Sequence, residues 1–378
     1  MKIIYCIASV HHPGGMERVL LNKLRWFVHQ GGYDLTVVTT DQGGLPPFYS
    51  FPPEVKMIDL GIDYAVDNSC PPLVKIIRYF RKRRVHRKRL TSLLMKEKAD
   101  IVVSLYPSES SFIPHIKDGS KKVLELHFNK YFRLQYNRHG LLGLADRFRT
   151  WQDERIVRRF DRFVVLTHED AEYWGGTLPN LEVIPNAAPE ITPQAYNPDI
   201  HRVIAVGRLD YQKGFDRLLD AWAFLPADLR DHWRLDIFGQ GEWQEKLTAQ
   251  IFQLGITSSA RILAPTHHIF EEYAQSAFLV MSSHYEGLPM VMLEAMGCGL
   301  PVVSFDFPCG PRDIISNGEN GLLVKEGDCH GLASAMEQLM RDCELRTQMS
   351  AEARKITEYY TETNVMQQWM KCFHNLTA

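Results

Sequence analysis

The sequence predicts an α/β protein with two domains of similar size, each built on a parallel sheet. Short apolar runs alternate with helical periodicity from residue 3 to residue 183, which is the pattern of repeated βαβ units. Residues 187–200 then carry three prolines and no periodicity, as is typical of a linker. The alternation starts again at residue 202, and a chain of 378 residues can bury two cores.

In the first half, residues 3–9 predict a strand, and a helix follows Gly14 and Gly15 until Gly31 and Gly32 end it. This βαβ unit places glycines at the carboxyl end of a strand, where the backbone can approach a ligand, although a simple tight turn fits equally well. Further strands are predicted at 34–40, 55–60, 101–105, 122–129, 162–167 and 181–187, and a helix at 151–160.

His127 ends the predicted strand 122–129 and would therefore lie at the ligand edge of the sheet. A single histidine at such a position is also common as a packed or surface residue. The side chain is a candidate on position alone, and both interpretations stay open.

Residues 75–98 carry eleven Lys and Arg on a predicted helix. Its apolar anchors are expected to be Ile76, Ile77, Phe80, Leu90, Leu93 and Leu94. One interpretation is a solvated helix face, and the other is attraction to an anionic membrane surface or a polyanionic acceptor. Nucleic-acid binding is disfavoured because no aromatic platform accompanies the charge. Residues 1–190 hold 28 basic and 21 acidic residues, whereas residues 191–378 hold 15 basic and 24 acidic residues. The opposite net charges suggest different partners for the two halves.

The second half begins with a strand that ends at Gly207 and Arg208, and Lys213 follows before a helix. Arg208 and Lys213 lie five residues apart around this turn, so both could contact one diphosphate. The next strand runs into a loop with Gly239 and Gly241, and RILAP predicts a further strand. Residues 306–328 are interpreted as a loop around a short helix, and residues 330–357 and 362–375 as helical.

The stretch from Ser282 to Val303 is the most informative part of the chain. After the apolar run FLVM, Glu286 lies in a loop, Pro289 suits the first helical position, and Glu294 lies about a turn inside the helix. The N–H groups of residues 287–290 and the helix dipole would bind a phosphate oxygen, while the two carboxylates accept hydroxyl groups. The pattern indicates a nucleotide sugar; the alternative is a solvated glutamate beside a capped helix.

Other features narrow the class of protein. Seven cysteines without a CxxC pair argue against a disulfide framework or a zinc site. No run of about eighteen apolar residues exists, and the first residues form a strand with no basic leader, which predicts a cytoplasmic protein. A nicotinamide dehydrogenase is disfavoured because no GxGxxG follows a predicted strand.

Together these motifs resemble the retaining GT-B glycosyltransferases of family 4. The resemblance rests on HYEGLPMVMLEAMGCGLPVV with Glu286 and Glu294, on GRLDYQKG with Arg208 and Lys213, and on GPRDIISNGENGLLVKEGD. The glycine pair at 14–15, LELHFN and VIPNA support it, so the matching stretches span residues 14–328.

The resemblance implies a GT-B fold, in which two Rossmann-like domains with parallel sheets enclose a cleft. Residues 1–188 would form the acceptor-binding domain, completed by a C-terminal helix at 360–378. Residues 189–200 would be the linker, and residues 201–359 the domain that binds the nucleotide-sugar donor. The hinge reads PNAA at 185–188 where relatives commonly have Gly-Val, so its flexibility is open.

The resemblance also implies roles for single residues. Arg208 and Lys213 would neutralise the donor diphosphate, Glu294 would accept the ribose hydroxyls, and Glu286 would hold hydroxyls of the donor sugar. His127 would contact the sugar near the reacting carbon. The remaining donor-binding residues would be Gly14, Gly15, Gly239, Gly287, Leu288, Pro289 and Met290. No metal and no cofactor is expected, since the chain contains no D-x-D motif.

The predicted activity is transfer of a hexose or N-acetylhexosamine from a nucleoside diphosphate sugar, with a UDP-sugar preferred. The acceptor would be a glycan or a lipid-linked oligosaccharide in cell-surface polysaccharide synthesis, such as capsule or O-antigen assembly at the inner membrane face. Three alternatives use the same scaffold: a GT-B phosphorylase, a nucleotide-sugar epimerase and a non-catalytic nucleotide-sugar binding protein. Residues 264–266 read Ala-Pro-Thr where relatives often have glycine, which leaves the base open.

Overall fold

The computed structural model describes residues 1–12, 14–105, 108–136, 139–191 and 195–378. Within them the chain forms two parallel sheets, each with helices on both faces. This confirms the predicted class of two Rossmann-like units. No helix in the described ranges is long and apolar enough to cross a membrane.

The first sheet has seven strands in the order β3-β2-β1-β4-β5-β6-β7, and every neighbouring pair is parallel. Its strands are β1 (Lys2–Ile7), β2 (Asp34–Thr39), β3 (Lys56–Asp59), β4 (Ile101–Ser104), β5 (Lys121–Glu125), β6 (Arg162–Val165) and β7 (Leu181–Val183). The strand order reverses between β1 and β4, and such a switch point opens a crevice at the carboxyl ends of the strands.

Among the described residues, the α-helices of this part of the chain are α1 (Gly15–Gln30), α2 (Pro72–Glu97), α3 (Gly140–Val157) and α4 (His168–Tyr173). Alternate strand residues point to opposite faces, so the sheet has two cores. Ile4, Val102 and Leu124 pack under α2 and α3. Ile3, Tyr5 and Val103 pack on the other face under α1.

The second sheet has six parallel strands in the order β10-β9-β8-β11-β12-β13. They are β8 (Arg202–Val206), β9 (Arg234–Phe238), β10 (Ala260–Leu263), β11 (Phe278–Met281), β12 (Val302–Asp306) and β13 (Gly321–Lys325). The helices are α5 (Phe215–Phe224), α6 (Ala227–His232), α7 (Gln244–Gln253), α8 (Ile269–Ala274), α9 (Met290–Gly297), α10 (Pro311–Ile314), α11 (Cys329–Arg341), α12 (Cys343–Tyr359) and α13 (Glu362–Thr377).

The last helix, α13, packs on the first sheet instead of the second. Trp369 and Phe373 are buried in the same cluster as Ile3 and Tyr5. The chain therefore crosses back after α12, and the amide of Ala188 donates to the carbonyl of Tyr360 at 2.7 Å beside the crossing.

The element predictions for residues 306–328 and 330–357 were wrong in part. The segment 306–328 contains β13, because GLLVK pairs in register with β12. The strand was missed because five residues between turn formers are too short a pattern to predict a strand from the sequence. The helical segment 330–357 is two helices, because the Asp342 carboxylate accepts the Leu345 N–H at 2.8 Å and caps α12.

The predicted apolar anchors of α2 were also wrong in part. Leu90 and Leu94 are fully buried as expected, but Ile76, Ile77 and Phe80 are 52%, 61% and 55% exposed. Only the C-terminal half of α2 packs on the sheet, and residues 73–81 are exposed on every side of the helix.

Candidate active site

Two loops meet at the carboxyl edge of the second sheet, because β8 and β11 are neighbouring strands. One loop, 207–214, follows β8, and the other, 282–289, follows β11. The Ser282 hydroxyl donates to the Lys213 carbonyl at 3.0 Å, and the Arg217 guanidinium donates to the carbonyls of Ser282 and Ser283 at 2.6 and 2.8 Å. These bonds hold the two predicted motifs against each other.

Lys213 and Glu286, predicted from separate motifs, form one ion pair. The Lys213 Nζ lies 2.7 Å from Glu286 Oε1, and the side chains are only 13% and 8% exposed. The hydroxyl of Ser283 donates to the same oxygen at 2.7 Å, and the amide of Gln212 donates to Oε2 at 3.2 Å. The carboxylate is thus fixed by three donors, and the ammonium is fixed by the carboxylate.

Arg208 lies further out, at the mouth of the site, where its side chain is 69% exposed. Its guanidinium is 2.8 Å from the Gln212 Oε1 and 3.3 Å from an oxygen of Asp210. Gln212 therefore connects Arg208 to Glu286, since its amide group bonds to both side chains. Arg208 and Lys213 are on one loop, but the structure brings only Lys213 into contact with Glu286.

The mouth of α9 differs slightly from the prediction. Pro289 is the residue before the first helical position and not the first residue of the helix, which starts at Met290. The N–H groups of the first turn have no acceptor within the helix, so Leu288, Pro289 and Met290 border a helix terminus whose free N–H groups suit an anion.

Gly287 must be glycine because the first sheet's loop touches it. A Cβ placed on Gly287 would lie 2.2 Å from the carbonyl oxygen of His127. Gly239 has a comparable role within the second sheet, since its Cβ would lie 2.0 Å from the carbonyl oxygen of Gly207. Both glycines permit a close approach of backbones that no other residue allows.

Glu294 lies in the second turn of α9 and accepts a hydrogen bond from the Tyr273 hydroxyl at 3.3 Å. Desolvation raises the pKa of Glu294, while the nearby Arg18 and Lys213 cations and the Tyr273 bond lower it. Arg18 belongs to the first turn of α1, which has Gly14 as its N-cap and Gly15 as its first residue. The two predicted glycines thus stand at the start of a helix whose first turn faces α9 across a cleft.

His127 lies two residues past β5, so the strand is shorter than predicted. Its ring nitrogen Nε2 is 3.1 Å from the Oε1 of Glu125, and the ring is largely buried. Two residues later, the Asn129 amide donates to the Glu286 carbonyl at 3.0 Å. The loop that carries His127 therefore contacts the Glu286 loop from the opposite side of the cleft.

A second contact between the two halves lies beside α4. The Asp313 carboxylate accepts the N–H of His168 at 2.7 Å and that of Glu169 at 3.4 Å, so α10 caps the start of α4. In return, the Glu169 carboxylate accepts the N–H of Cys309 at 2.9 Å. These reciprocal bonds, together with the α13 crossing, fix the two halves around the cleft.

Several residues of the site were not predicted. They are Arg18, Glu125, Asn129, Gln212 and Ser283. Glu125 could have been found, since it stands two residues before His127 and residues so spaced lie on one side of an extended strand. Asn129 meets its partner across 157 residues, and single-sequence patterns carry no information about such a contact.

The chain is similar to known protein families and proteins over most of its length. Two family profiles match almost end to end: Glycosyltransferase Family 4 over residues 13–190, and Glycosyl transferases group 1 over residues 192–356. The lipopolysaccharide core biosynthesis glycosyltransferase LpsE of Rhizobium meliloti is 31% identical over 261 residues, 68% of this chain and 69% of LpsE. The chain belongs to this family of glycosyltransferases. Its enzyme class, a sugar transferase, follows from that membership.

Two other similarities concern single proteins. This glycosyltransferase is 24% identical, over 98% of both chains, to a Campylobacter jejuni alpha-1,4-N-acetyl-D-galactosaminyltransferase named for a diphospho-undecaprenol-linked acceptor. Its fold is similar to a crystal structure of a mutant TarM from S. aureus in complex with fondaparinux, alpha-GlcNAc-glycerol and UDP. That similarity has a TM-score of 0.77 at 15% identity, over 98% of this chain and 99% of TarM.

Proposed function

We propose that this glycosyltransferase moves a hexose or N-acetylhexosamine from a UDP-sugar to a glycan or lipid-linked oligosaccharide, with retention of anomeric configuration. The observation that carries the proposal is the Lys213–Glu286 pair beside the start of α9, with Glu294 one turn further on. A cation, a helix terminus and two carboxylates in one cleft suit a ligand that has both phosphates and hydroxyls.

The donor would be held by an exchange of partners. The diphosphate would take the Lys213 ammonium from Glu286 and would draw the exposed Arg208 side chain away from Gln212 and Asp210. Glu286, released from the ammonium, would accept hydroxyls of the donor sugar, and Glu294 would accept those of the ribose. UDP is the nucleotide bound in the TarM complex, which supports a uridine donor here.

The chemistry demands stabilisation of the departing nucleoside diphosphate while positive charge develops on the sugar. The bond from the anomeric carbon to the phosphate oxygen would break as the acceptor oxygen bonds to the same face, and the acceptor proton would pass to the departing phosphate. Lys213, Arg208 and the α9 terminus would surround that negative charge once the donor is bound, so we propose a reaction that requires no metal. Full activity in excess EDTA is the expected result.

The product decides between this reaction and its alternatives. We expect incubation with UDP-sugars and an acceptor to release UDP and form an α-glycoside from an α-linked donor, as read from the anomeric proton coupling by NMR. A β-glycoside would overturn retention. Sugar release that depends on added phosphate would indicate a phosphorylase, and an isomerised donor would indicate an epimerase. Donor binding without turnover would indicate a non-catalytic protein.

The acceptor end of the proposal includes an anionic membrane at the inner face of the cell. Residues 73–81 of α2 expose apolar side chains next to cations, which suits insertion at a charged bilayer surface. Helix α3 packs on the same face of the first sheet and exposes Leu144, Phe148 and Trp151 at helical spacing. The Campylobacter relative, named for an undecaprenol diphosphate acceptor, supports a lipid-linked substrate.

Liposome sedimentation tests this contact. The side chains of Arg81, Arg84, Arg87 and Lys88 make no hydrogen bond or ion pair within the described residues, so changing all four to Gln leaves the fold's own bonds intact. We expect the fourfold variant to lose binding to vesicles with 30% phosphatidylglycerol, at about 1 kcal/mol per removed cation. Separately, we expect the double variant Ile76→Ser with Phe80→Ser to lose binding to the same vesicles. Lys355→Gln on α12 is the control. Equal binding by all variants would remove the membrane from the proposal.

A further inference from the structure

The donor site leaves one conspicuous group unexplained, a buried ion pair beneath His127. The Lys23 ammonium of α1 bonds to Oε1 of Glu125 at the end of β5, and the Glu125 side chain has no solvent exposure. Burying two charges costs several kcal/mol per ion, and an apolar pair of similar volume often stabilises a fold as well or better. The pair therefore calls for a role beyond packing.

The same carboxylate oxygen holds His127. Its Nε2 lies 3.1 Å from Glu125 Oε1, the oxygen that also accepts from Lys23. Burial raises the pKa of Glu125, but the adjacent Lys23 ammonium and His127 outweigh burial and hold the pKa below its usual range. A carboxylate that stays ionised only accepts hydrogen bonds, so the His127 nitrogen that faces it must carry the proton.

Lys23 is itself held from the far side. Its ammonium lies 3.9 Å from the centre of the Trp369 ring on α13, which is a cation–π contact. The C-terminal helix thus fixes Lys23, Lys23 fixes Glu125, and Glu125 fixes the His127 ring. His127 itself ends the series at the cleft, where its carbonyl oxygen abuts Gly287.

We propose that Glu125, held in place by Lys23, is a positioning residue that locks His127 in the Nε2–H tautomer. The lock leaves Nδ1 as an acceptor for a sugar or acceptor hydroxyl in the cleft. The inference rests on the proposed function for the role of His127 in transfer, but the tautomer itself does not depend on it.

Other charged or titratable groups surround this assembly. The Glu17 carboxylate of α1 interacts electrostatically with His127, and it also interacts with His11 and His12. On the side away from the cleft, Tyr5 of β1 and Cys372 of α13 neighbour the Lys23–Glu125 pair. None of these replaces Glu125, because Glu125 supplies the acceptor at hydrogen-bond distance from His127 Nε2.

Long-range ¹H–¹⁵N correlation NMR on the full chain reads the tautomer directly. The His127 signals are assigned as those that disappear from the spectrum of the His127→Ala variant. The wild type is expected to show the Nε2–H pattern at neutral pH. Glu125→Gln strands a buried ammonium, so the decisive variant is Lys23→Met with Glu125→Leu, which removes both charges and keeps an apolar core. In this variant we expect a folded protein whose His127 shows mixed tautomers.

Transfer kinetics add the functional outcome. The double variant should lose about 10- to 100-fold in kcat while the KM for the donor changes little, as when the partner that orients a histidine is removed. An Nδ1–H pattern in the wild type, or an unaltered Nε2–H pattern and kcat in the double variant, would overturn the proposal. Unreduced kcat in His127→Ala would instead refute the role of His127 in the proposed function, and the tautomer result would still stand.

Discussion

At the scale of single residues, Lys213 and Glu286 have the clearest division of work. The two side chains pair with each other, so neither charge is left unpaired in a mostly buried position. In the proposed reaction, a diphosphate would be a stronger partner for Lys213, and its arrival would free the carboxylate for the sugar. The pair would then couple phosphate binding to sugar binding.

Replacing Lys213 tests this coupling. Lys213→Met removes a charge-assisted contact of roughly 1.5–3 kcal/mol, so we expect kcat/KM for the UDP-sugar to fall about 10- to 100-fold or more. Lys355→Met, an exposed lysine on α12, is the matched control and should leave the rate unchanged. A Lys213→Met enzyme with the wild-type kcat/KM would refute the diphosphate role of this residue.

Asp170 predicts a pH dependence of stability. It is buried beside Cys309, accepts the Lys130 N–H at 2.8 Å, and burial raises its pKa from 3.8 to about 7. The folded state binds a proton on Asp170 more tightly than the unfolded state does. The protonated carboxyl group therefore adds to the free energy of unfolding below pH 4, and this stabilisation is lost as the pH rises to about 7.

Urea unfolding of the wild type and of Asp170→Asn between pH 4 and 8 measures this contribution. We expect the wild type to lose stability relative to the variant as the pH rises, by up to about 4 kcal/mol for a shift of this size. Asparagine keeps the oxygen that accepts from Lys130 but cannot titrate. Parallel pH profiles for the two proteins would show that Asp170 does not titrate in this range.

At the scale of elements, the loop before α9 is defined by its contact with the opposite sheet. Gly287→Ala would force a Cβ against the His127 carbonyl oxygen, so we expect about 1–3 kcal/mol of destabilisation together with a loss of activity. Gly15 has open space where its Cβ would lie, so Gly15→Ala should not lower the melting temperature. Equal melting temperatures for Gly287→Ala and wild type would mean that the two loops are not in contact in solution.

The sequence was sufficient to predict most elements but not how far they are buried. The start and end of α9 follow from Pro289, Gly297 and Gly299, which act through local backbone preferences. Strand β13 was missed because only its pairing with β12 makes five residues a strand. The exposure of Ile76 and Phe80 was missed because an apolar residue predicts burial only when a neighbouring element covers it.

The site shows the same limit. Local motifs indicated Lys213 and Glu286 separately, and their ion pair across 73 residues emerges only when β8 and β11 are adjacent. Glu125 and Lys23 left no recognisable motif, since a buried ion pair needs no fixed spacing in the chain. Residues that act on local backbone geometry were predictable, whereas partners joined by the tertiary fold were not.

At the scale of the whole molecule, two Rossmann-like sheets face each other across a cleft, and contacts at the edge of the cleft hold the two halves together. Asp313 caps α4, and α13 returns to the first sheet, where Trp369 contacts Lys23. The contacts of His127 and Asn129 with the Glu286 loop lie inside this frame. A ligand that reaches Lys213 would therefore have both sheets within reach.

A thermal-shift panel of UDP, UMP and uridine in the presence of EDTA tests the central claim most directly. A ligand at 100 times its dissociation constant adds about 2.7 kcal/mol of stability, which is easily measured. We predict that UDP stabilises the wild type and Lys355→Met more than UMP or uridine does, and that Lys213→Met with Arg208→Ala loses the UDP increment. Equal shifts by UDP and uridine in the wild type, or an undiminished UDP shift in the double variant, would contradict it.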